Sequence, residues 1–111
     1  MEDCVFCRIV RGEIPANIVY ESENVLAFDD VNPMAPVHVV AVPKIHVGTL
    51  MDVSEGMMDS MISAVQEVAK IKGIDKKGFR TVVNCNEDGG QVIFHLHVHI
   101  LGGRKLSDDM G

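Results

Sequence analysis

The chain lacks a surplus of positive charge and any long apolar run. Its 111 residues include 10 lysines and arginines against 16 aspartates and glutamates, a formal net charge of -6. Proteins hold nucleic-acid polymers mainly by neutralising phosphates with basic side chains, so a polymeric nucleic acid is not an expected partner. A small phosphorylated ligand at a local site stays open. No stretch approaches the roughly 18 apolar residues of a membrane-spanning helix, so no membrane partner is expected.

The sequence also lacks internal repeats, low-complexity stretches and long flexible linkers. Its length is typical of one domain, so residues 1–111 are expected to form a single unit. The first residues are acidic and no apolar segment follows, which is not the pattern of an export signal, and a cytoplasmic location is expected. Three cysteines, an odd number, favour reduced thiols or a metal site over a disulfide framework.

Hydrophobic periodicity and turn residues predict two helices and five strands. A short helix is expected over residues 4–11. A long helix is expected to be capped by Asp52, with Glu55 completing a capping box, and to end at Gly73. The apolar face expected on this long helix consists of Met57, Met61, Val65, Val68 and Ile71. Strands are predicted over residues 16–21, 25–29, 38–42, 79–84 and 92–101.

This order of elements indicates an α+β fold in which both helices cover one face of an antiparallel five-stranded sheet. Two of the loops that connect the predicted strands are suited to ligand contacts. Pro33 and Pro36 prevent regular structure and predict a stiff loop over residues 31–36. The Gly89-Gly90 pair predicts a second loop before the last strand, where glycine allows backbone N–H groups to approach a phosphate closely.

Three of the five histidines stand at alternate positions near the end of the chain. The run is His95-Leu96-His97-Val98-His99-Ile100-Leu101. Side chains of a strand alternate between its two faces, so the imidazoles are expected as an exposed row on one side. The aliphatic residues between them are then expected to face the core.

Geometry argues against one metal ion shared by the whole row. Residues two apart on a strand stand roughly 6.6 Å apart and residues four apart roughly 13 Å, whereas metal–nitrogen bonds are about 2 Å long. The second alternative is an ordinary row of polar residues on a solvent-facing strand. That explains a single histidine well but three histidines at regular spacing poorly. Nucleophilic catalysis is the third. A neutral imidazole can attack phosphorus when its other nitrogen keeps the proton and donates it to a fixed acceptor such as a backbone carbonyl.

The histidine run fits every position of the signature of the histidine triad (HIT) family, which the chain resembles. Further segments are similar to the Hint branch, the histidine triad nucleotide-binding proteins. They are Phe6-Cys7-Arg8-Ile9-Val10, Gly12-Glu13-Ile14-Pro15-Ala16, Leu26-Ala27-Phe28, Ala35-Pro36-Val37-His38, Pro43-Lys44-Ile45-His46, Gly89-Gly90-Gln91 and Leu101-Gly102-Gly103-Arg104. The resemblance implies a HIT-like fold and a homodimer in which the sheet continues from one chain into the other.

The resemblance implies a role for each histidine of the site. His97 would be the nucleophile that takes the α-phosphate of a nucleotide as a covalent nucleotidyl-histidine, which water then hydrolyses. His99 would contact the phosphate or the leaving group, and His95 would support the geometry by hydrogen bonding. His38 corresponds to a further histidine near the site. No catalytic metal is implied.

A nucleotide site is implied as well. Asp30 falls where an acidic residue binds the ribose hydroxyls, Asn84 matches an asparagine that contacts phosphate, and Gly90 and Gln91 belong to the loop before the triad. The apolar slot for the base would consist of Phe6, Ile9, Ile14, Phe28 and Val31. Taken one at a time, each of these apolar residues is equally explained by the core.

Two positions depart from the family pattern. Val92 stands where the Hint branch often has a serine or threonine that bonds the phosphate or the leaving nitrogen, so the preference for leaving group is open. The tail over residues 105–111 lacks the Trp-Pro-Pro-Gly-like ending of some relatives, and contacts made by such a tail across a dimer are not expected.

Cys4 and Cys7 have the spacing of two zinc ligands but supply only half of a tetrahedral site. Some HIT relatives are similar in having this pair, and the resemblance implies that His46 and His95 complete a structural zinc site. Two free thiols are the alternative. Cys85 has no partner in the sequence and is expected to be a small buried residue.

These observations predict a hydrolase that acts on purine nucleoside phosphoramidates or related conjugates of nucleoside monophosphates. Two other classes of function stay open. One is a nucleotide-binding or scaffold protein with little turnover. Val92 strengthens this alternative, because valine cannot make the hydrogen bond of the serine or threonine it replaces. The other is an interaction module organised around zinc.

Overall fold

The computed structural model describes residues 4–110, so Glu2 and Asp3, on which the expected location partly rests, lie outside it. The strands are β1 (Ile18–Glu21), β2 (Val25–Asp29), β3 (Val37–Pro43), β4 (Arg80–Val82) and β5 (Val98–Gly102). The helices are α1 (Val5–Val10) and α2 (Met57–Ile71), and a short 3-10 helix covers Leu50–Asp52. All neighbouring strands are antiparallel, in the order β1-β2-β3-β5-β4. The predicted α+β class with five strands and two helices is confirmed.

The two helices lie on opposite faces of the sheet, so the expectation that both cover one face was wrong. α2 packs its buried residues against Ala27, Val39 and Ile100. α1 covers the other face, where Phe6 packs with Val40 and other apolar residues of β2 and β3. β2 and β3 are buried on both faces, as the residues of a central strand are, and each face therefore needs a cover.

The start of α2 differs from the predicted capping box. The Asp52 carboxylate accepts from the backbone N–H of Thr49, and the Thr49 hydroxyl accepts from Met51 N–H, so this pair caps the 3-10 helix instead. α2 begins five residues after Asp52, and Gly56 at its N-cap has no side-chain hydrogen bond. The burial of the predicted apolar face is confirmed at its centre, but Ile71 at its end is 56% exposed.

The last strand is much shorter than predicted, and this changes the histidine run. β5 begins at Val98, so His95 and His97 lie in the irregular segment before it and only His99 belongs to the strand. β3 ends at Pro43, which has no N–H to continue a ladder, and its pairing with β5 stops at Ala41 and Val98. β2 matches the predicted strand, whereas β1 and β4 are shorter and β3 is longer.

Among residues 4–110, no helix is long and apolar enough to cross a membrane. The C-terminal segment is tied to β4, because the Arg80 guanidinium donates to the carbonyl oxygens of Ser107 and Asp109, at 2.6 and 3.4 Å.

Candidate active site

A cavity of about 910 Å³ opens on the face of the sheet that α1 covers. Its wall includes residues of α1, the loop after β2, the loop after β4 and the histidine run. The predicted site residues in its wall are Phe6, Ile9, Ile14, Phe28, Asp30, Val31, Asn84, Gly90, His97 and His99. The other predicted catalytic and nucleotide-binding residues, His38, His95 and Gln91, lie outside this wall, as do the predicted metal ligands Cys4, Cys7 and His46.

His97 is held in one orientation by a backbone hydrogen bond. Its Nδ1 lies 2.8 Å from the carbonyl oxygen of His95, and because a carbonyl can only accept, Nδ1 carries the proton. The Nε2 atom of neutral His97 therefore has a free lone pair. The Phe6 ring packs edge-on to the imidazole, with ring centres 5.0 Å apart, and leaves His97 only 8% exposed. This is the fixed tautomer that attack on phosphorus requires.

His95 is fully buried and serves as the support for His97. Its Nε2 donates to the carbonyl oxygen of Pro43 at 2.8 Å, so Nδ1 is left without a proton. Nδ1 faces the thiols of Cys4 and Cys7, at 3.3 and 3.5 Å. Burial lowers the pKa of His95, which keeps the imidazole neutral.

The expected exposed row of imidazoles was therefore wrong, since His95 and His97 are both buried. One reason is that α1 covers this face of the sheet. The other is that β5 begins only at Val98, so His95 and His97 precede the strand. Burial of the aliphatic residues between the histidines is confirmed, because Leu96 and Val98 are at most 4% exposed.

His38 and His99 form a hydrogen-bonded pair across β3 and β5. The N–H of Met34 donates to Nδ1 of His38 at 3.0 Å, so the proton of His38 is on Nε2. That Nε2 lies 3.0 Å from Nδ1 of His99 and donates to it. The remaining N–H of His99 is then on Nε2, as a donor available to a ligand in the cavity. Burial, with the neighbouring His97 and His38, lowers the pKa of His99 to about 4.

Asp30 joins this pair at the cavity wall. One carboxylate oxygen lies 3.4 Å from Nε2 of His38, and the other accepts from the N–H of Asn32 at 2.8 Å. Asp30, His38 and His99 stand close enough to share a metal ion. The Met34 N–H argues against that use, because it keeps the proton on the one nitrogen of His38 that could bind the ion.

The loop after β4 is braced by its own side chains. Asn84 donates to the carbonyl oxygen of Gly89 at 2.7 Å, which holds the loop closed. A Cβ added at Gly89 would lie 2.5 Å from the carbonyl oxygen of Cys85, so only glycine fits there. Gly90 has a φ of 79°, and its N–H donates to the carbonyl oxygen of Glu87 rather than into the cavity.

Gln91 is a buried anchor of this loop. Its side-chain oxygen accepts from the N–H of Asn86, and its side-chain nitrogen donates to the carbonyl oxygens of Gly48 and Ile93, at 2.9 and 3.0 Å. Both polar atoms of the side chain are therefore used within the protein. Cys85, expected to be buried, is only partly buried.

Cys4, Cys7, His46 and His95 form a second cluster behind the cavity, with donor atoms within 4.8 Å of one another. In a tetrahedral zinc site, a sulfur and a nitrogen ligand are about 3.5 Å apart. The observed separations of 3.3 to 3.5 Å match this value, and the free lone pair of His95 points at the thiols. The donor set therefore fits zinc, although thiol–imidazole hydrogen bonds have similar lengths.

Several residues of the cavity wall were not named as site residues from the sequence. For six of them the sequence carries no separate signal, since they enter the wall through packing of the helices, strands and loops: Val5, Pro15, Ala16, Asp29, Val40 and Ile93. Asn32 and Met34 belong to the two-proline loop, for which ligand contacts were expected. Val92 stands where the resemblance implies a contact with the phosphate or the leaving group.

A histidine held in one tautomer at the wall of a large cavity is an arrangement suited to nucleophilic attack by an imidazole. The family model described as HIT domain matches residues 11–106, and the chain belongs to the HIT domain family. The matched range does not include Cys4 and Cys7. The predicted family is thus confirmed, and with it the prediction of a HIT-type hydrolase.

Similar proteins agree with this assignment. A purine nucleoside phosphoramidase of Escherichia coli K12 is 42% identical over 108 residues, which cover 95% of this chain and 91% of that protein. The structure of a HIT family hydrolase from Legionella pneumophila has a TM-score of 0.94 at 39% identity, covering 98% of this chain and 100% of that one. A histidine triad protein from Clostridium difficile has a TM-score of 0.92 at 47% identity, covering 99% and 98%.

Proposed function

We propose that this protein hydrolyses purine nucleoside phosphoramidates, or related conjugates of nucleoside monophosphates, through a covalent intermediate on His97. The hydrogen bond from His97 Nδ1 to the His95 carbonyl carries the proposal, because it frees Nε2 for attack at phosphorus. The phosphoramidase name of the Escherichia coli relative supports the substrate class.

In the first half of the reaction, Nε2 of His97 forms a bond to the α-phosphorus while the bond from phosphorus to the leaving nitrogen breaks. The leaving amine takes a proton from water at the open side of the cavity. Nε2 of His99 donates a hydrogen bond to a phosphate oxygen, and the buried His38 holds His99 in that orientation. In the second half, water attacks phosphorus, the bond to His97 breaks, and a proton returns to solvent.

The nucleoside would occupy the apolar part of the cavity. Phe6, Ile9 and Phe28 provide a slot that could enclose a planar base. The Asp30 carboxylate is the acceptor for ribose hydroxyls, because vicinal diols favour such an acceptor. Asn84 stays a proposed phosphate contact, with one of its amide protons already donated to Gly89.

Zinc at the cluster of Cys4, Cys7, His46 and His95 would be structural. When bound there, it would fasten α1 to the loop after β3 and to the histidine run. The residues of the cluster act on the site through the backbone of His95, whose carbonyl orients His97. No step of the reaction passes through this cluster.

A homodimer and a cytoplasmic location complete the proposal. β4 is an outer strand of the sheet, so a second copy of the chain could continue the sheet there. In the described part of the tail, residues 104–110, no residue lines the cavity of its own chain.

The test compares turnover of an adenosine 5′-phosphoramidate by the protein and by His97→Ala. We expect the variant to lose at least about 1,000-fold in kcat, because it lacks the nucleophile. Equal turnover by both would remove His97 from the proposed role. Tight nucleotide binding without turnover by either would instead support the nucleotide-binding alternative that Val92 keeps open.

A further inference from the structure

Cys4 and Cys7 place two free thiols close together at the start of α1. Their sulfur atoms lie within 4.8 Å of one another. A disulfide needs the two sulfurs about 2.05 Å apart, which is within reach of side-chain rotation, and Cys-x-x-Cys pairs form reversible disulfides in oxidoreductases. Cys4 is partly exposed, whereas Cys7 is only 7% exposed. An oxidant that arrives from solvent therefore meets Cys4 first.

The buried Nδ1 atom of His95 depends on these two thiols. It carries no proton, because Nε2 donates to the carbonyl oxygen of Pro43, so Nδ1 needs a hydrogen-bond donor. Within residues 4–110, its hydrogen-bond partners are the sulfurs of Cys4 and Cys7, at 3.3 and 3.5 Å. A disulfide has no S–H, so oxidation would leave this buried acceptor without a donor, which is unfavourable. The present contact between His95 and the start of α1 is therefore specific to the reduced protein.

The same segment is coupled to the candidate active site in two ways. The residues between the cysteines, Val5 and Phe6, line the cavity, and the Phe6 ring packs edge-on to His97. The backbone carbonyl of His95 accepts the hydrogen bond that fixes the His97 imidazole. A shift of α1 or of His95 would therefore change the orientation or the packing of His97.

We propose that Cys4 and Cys7 form a redox-sensitive site, at which a hydroperoxide oxidises the pair to a reversible disulfide and thereby lowers turnover at His97. The disulfide itself is independent of the proposed function, whereas its effect on turnover rests on that function. In the proposed cytoplasmic location the pair is reduced at rest, because disulfides there are transient and serve catalysis or redox sensing.

The chemistry balances with the peroxide as the sole oxidant. The sulfur of Cys4 attacks one peroxide oxygen, the O–O bond breaks, and the thiol proton leaves with the other oxygen as water or an alcohol, which gives a sulfenic acid. The sulfur of Cys7 then attacks that of Cys4, the S–O bond breaks, and hydroxide leaves with the Cys7 proton as water. The two thiols lose two electrons and the peroxide gains them. The same step removes both sulfur ligands from the proposed zinc site.

The experiment treats the full-length protein, purified without chelator, with hydrogen peroxide and then alkylates the remaining thiols. Trypsin places Cys4 and Cys7 on one peptide, residues 1–8, and Cys85 on another. We expect the first peptide to be lighter than its dithiol form by two hydrogen atoms and to be alkylated only after dithiothreitol. The kcat for an adenosine 5′-phosphoramidate should fall about 10- to 100-fold, as expected for a misplaced catalytic group, and return with dithiothreitol.

Two variants separate this disulfide from other effects of peroxide. Cys4→Ser keeps a hydroxyl that can donate to His95 but is unable to form the disulfide, so peroxide should not lower the kcat from which this variant starts. Cys85→Ser changes a thiol outside the cluster and should respond to peroxide as the unchanged protein does.

Three outcomes overturn the inference. One is a first peptide that keeps both thiols or carries only higher sulfur acids. The others are a disulfide that leaves kcat unchanged and a loss of kcat in Cys4→Ser equal to that of the unchanged protein. Absence of turnover by the untreated protein would instead contradict the proposed function, and the peptide mass would still decide whether the disulfide forms.

Discussion

At the residue scale, three of the four histidines of the site have their protons placed by a backbone group. The carbonyl oxygens of Pro43 and His95 fix the tautomers of His95 and His97, and the N–H of Met34 fixes that of His38. His95 and His97 are thus oriented by the main chain, and His38 has the Asp30 carboxylate beside it as well. His99 depends on His38, which makes His38 a positioning residue.

Replacing His38 tests this dependence. In His38→Ala the Nδ1 atom of His99 loses its donor, and His99 can place its proton on either nitrogen. We expect kcat to fall about 10- to 100-fold, in line with the cost of a misplaced group, with a much smaller change in KM. Nitrogen NMR of His99 should show one tautomer in the unchanged protein and a mixture in the variant. A single unchanged tautomer together with full kcat would contradict the assignment.

The pKa of His99 also makes stability depend on pH. Its pKa is about 4 in the folded protein against 6.5 in the unfolded chain, so between these values the unfolded chain binds more protons. Stability is therefore lost as pH falls from about 6.5 to about 4. His99→Gln should lose less over this range, by on the order of 2 kcal/mol in the free energy of unfolding. Urea unfolding at pH 7 and pH 4.5 measures the difference, and parallel losses in both proteins would refute it.

At the element scale, α1 has too few residues to be stable alone. Its six residues fall well below the roughly 12 that an isolated helix needs, so its position depends on the contacts of Phe6 and of the two cysteines. Cys4 also caps α1, since its sulfur accepts from the N–H of Cys7 at 3.4 Å. Residues of α1 and its cap therefore contact both the second cluster, through Cys4 and Cys7, and the proposed nucleophile His97, through Phe6.

Metal analysis of the protein purified without chelator tests the zinc proposal. We expect one zinc per chain, and none in a Cys4→Ser, Cys7→Ser double variant. The thermal midpoint of the double variant should fall by several degrees, because α1 loses its attachment. Cys85→Ser is the matched control, since Cys85 lies outside the cluster, and it should keep its zinc. Protein without stoichiometric zinc would leave the cluster as hydrogen-bonded thiols and imidazoles.

At the scale of the whole molecule, the sequence predicted the elements better than their arrangement. Alternating or continuous apolar runs were sufficient to place β2 and the centre of α2. The faces covered by the helices and the end of β5 depend on tertiary contacts. His95 is withdrawn from the strand because its side chain bonds to Pro43, 52 residues away, and no local pattern reports such a contact.

The candidate site was predicted more fully than the fold around it. Ten of the expected residues line the cavity. They were expected because the sequence motifs that contain them resemble those of the HIT family, and a shared fold brings the same motif positions together in space. The environment of the histidines was not predictable, since burial beneath α1 is a property of packing. Asp29 and Val40 likewise enter the site only through folding.

The central claim is that phosphorus becomes bonded to Nε2 of His97, and trapping that intermediate tests it most directly. The protein is mixed with an adenosine 5′-phosphoramidate, quenched during turnover, digested and analysed by mass spectrometry under conditions that preserve phosphorus–nitrogen bonds. We predict one adenylyl group on the peptide that contains the histidine run, localised to His97 by fragmentation and absent from His97→Ala. Steady turnover with the adenylyl group on another residue, or a His97→Ala variant that stays fully active, would contradict the claim.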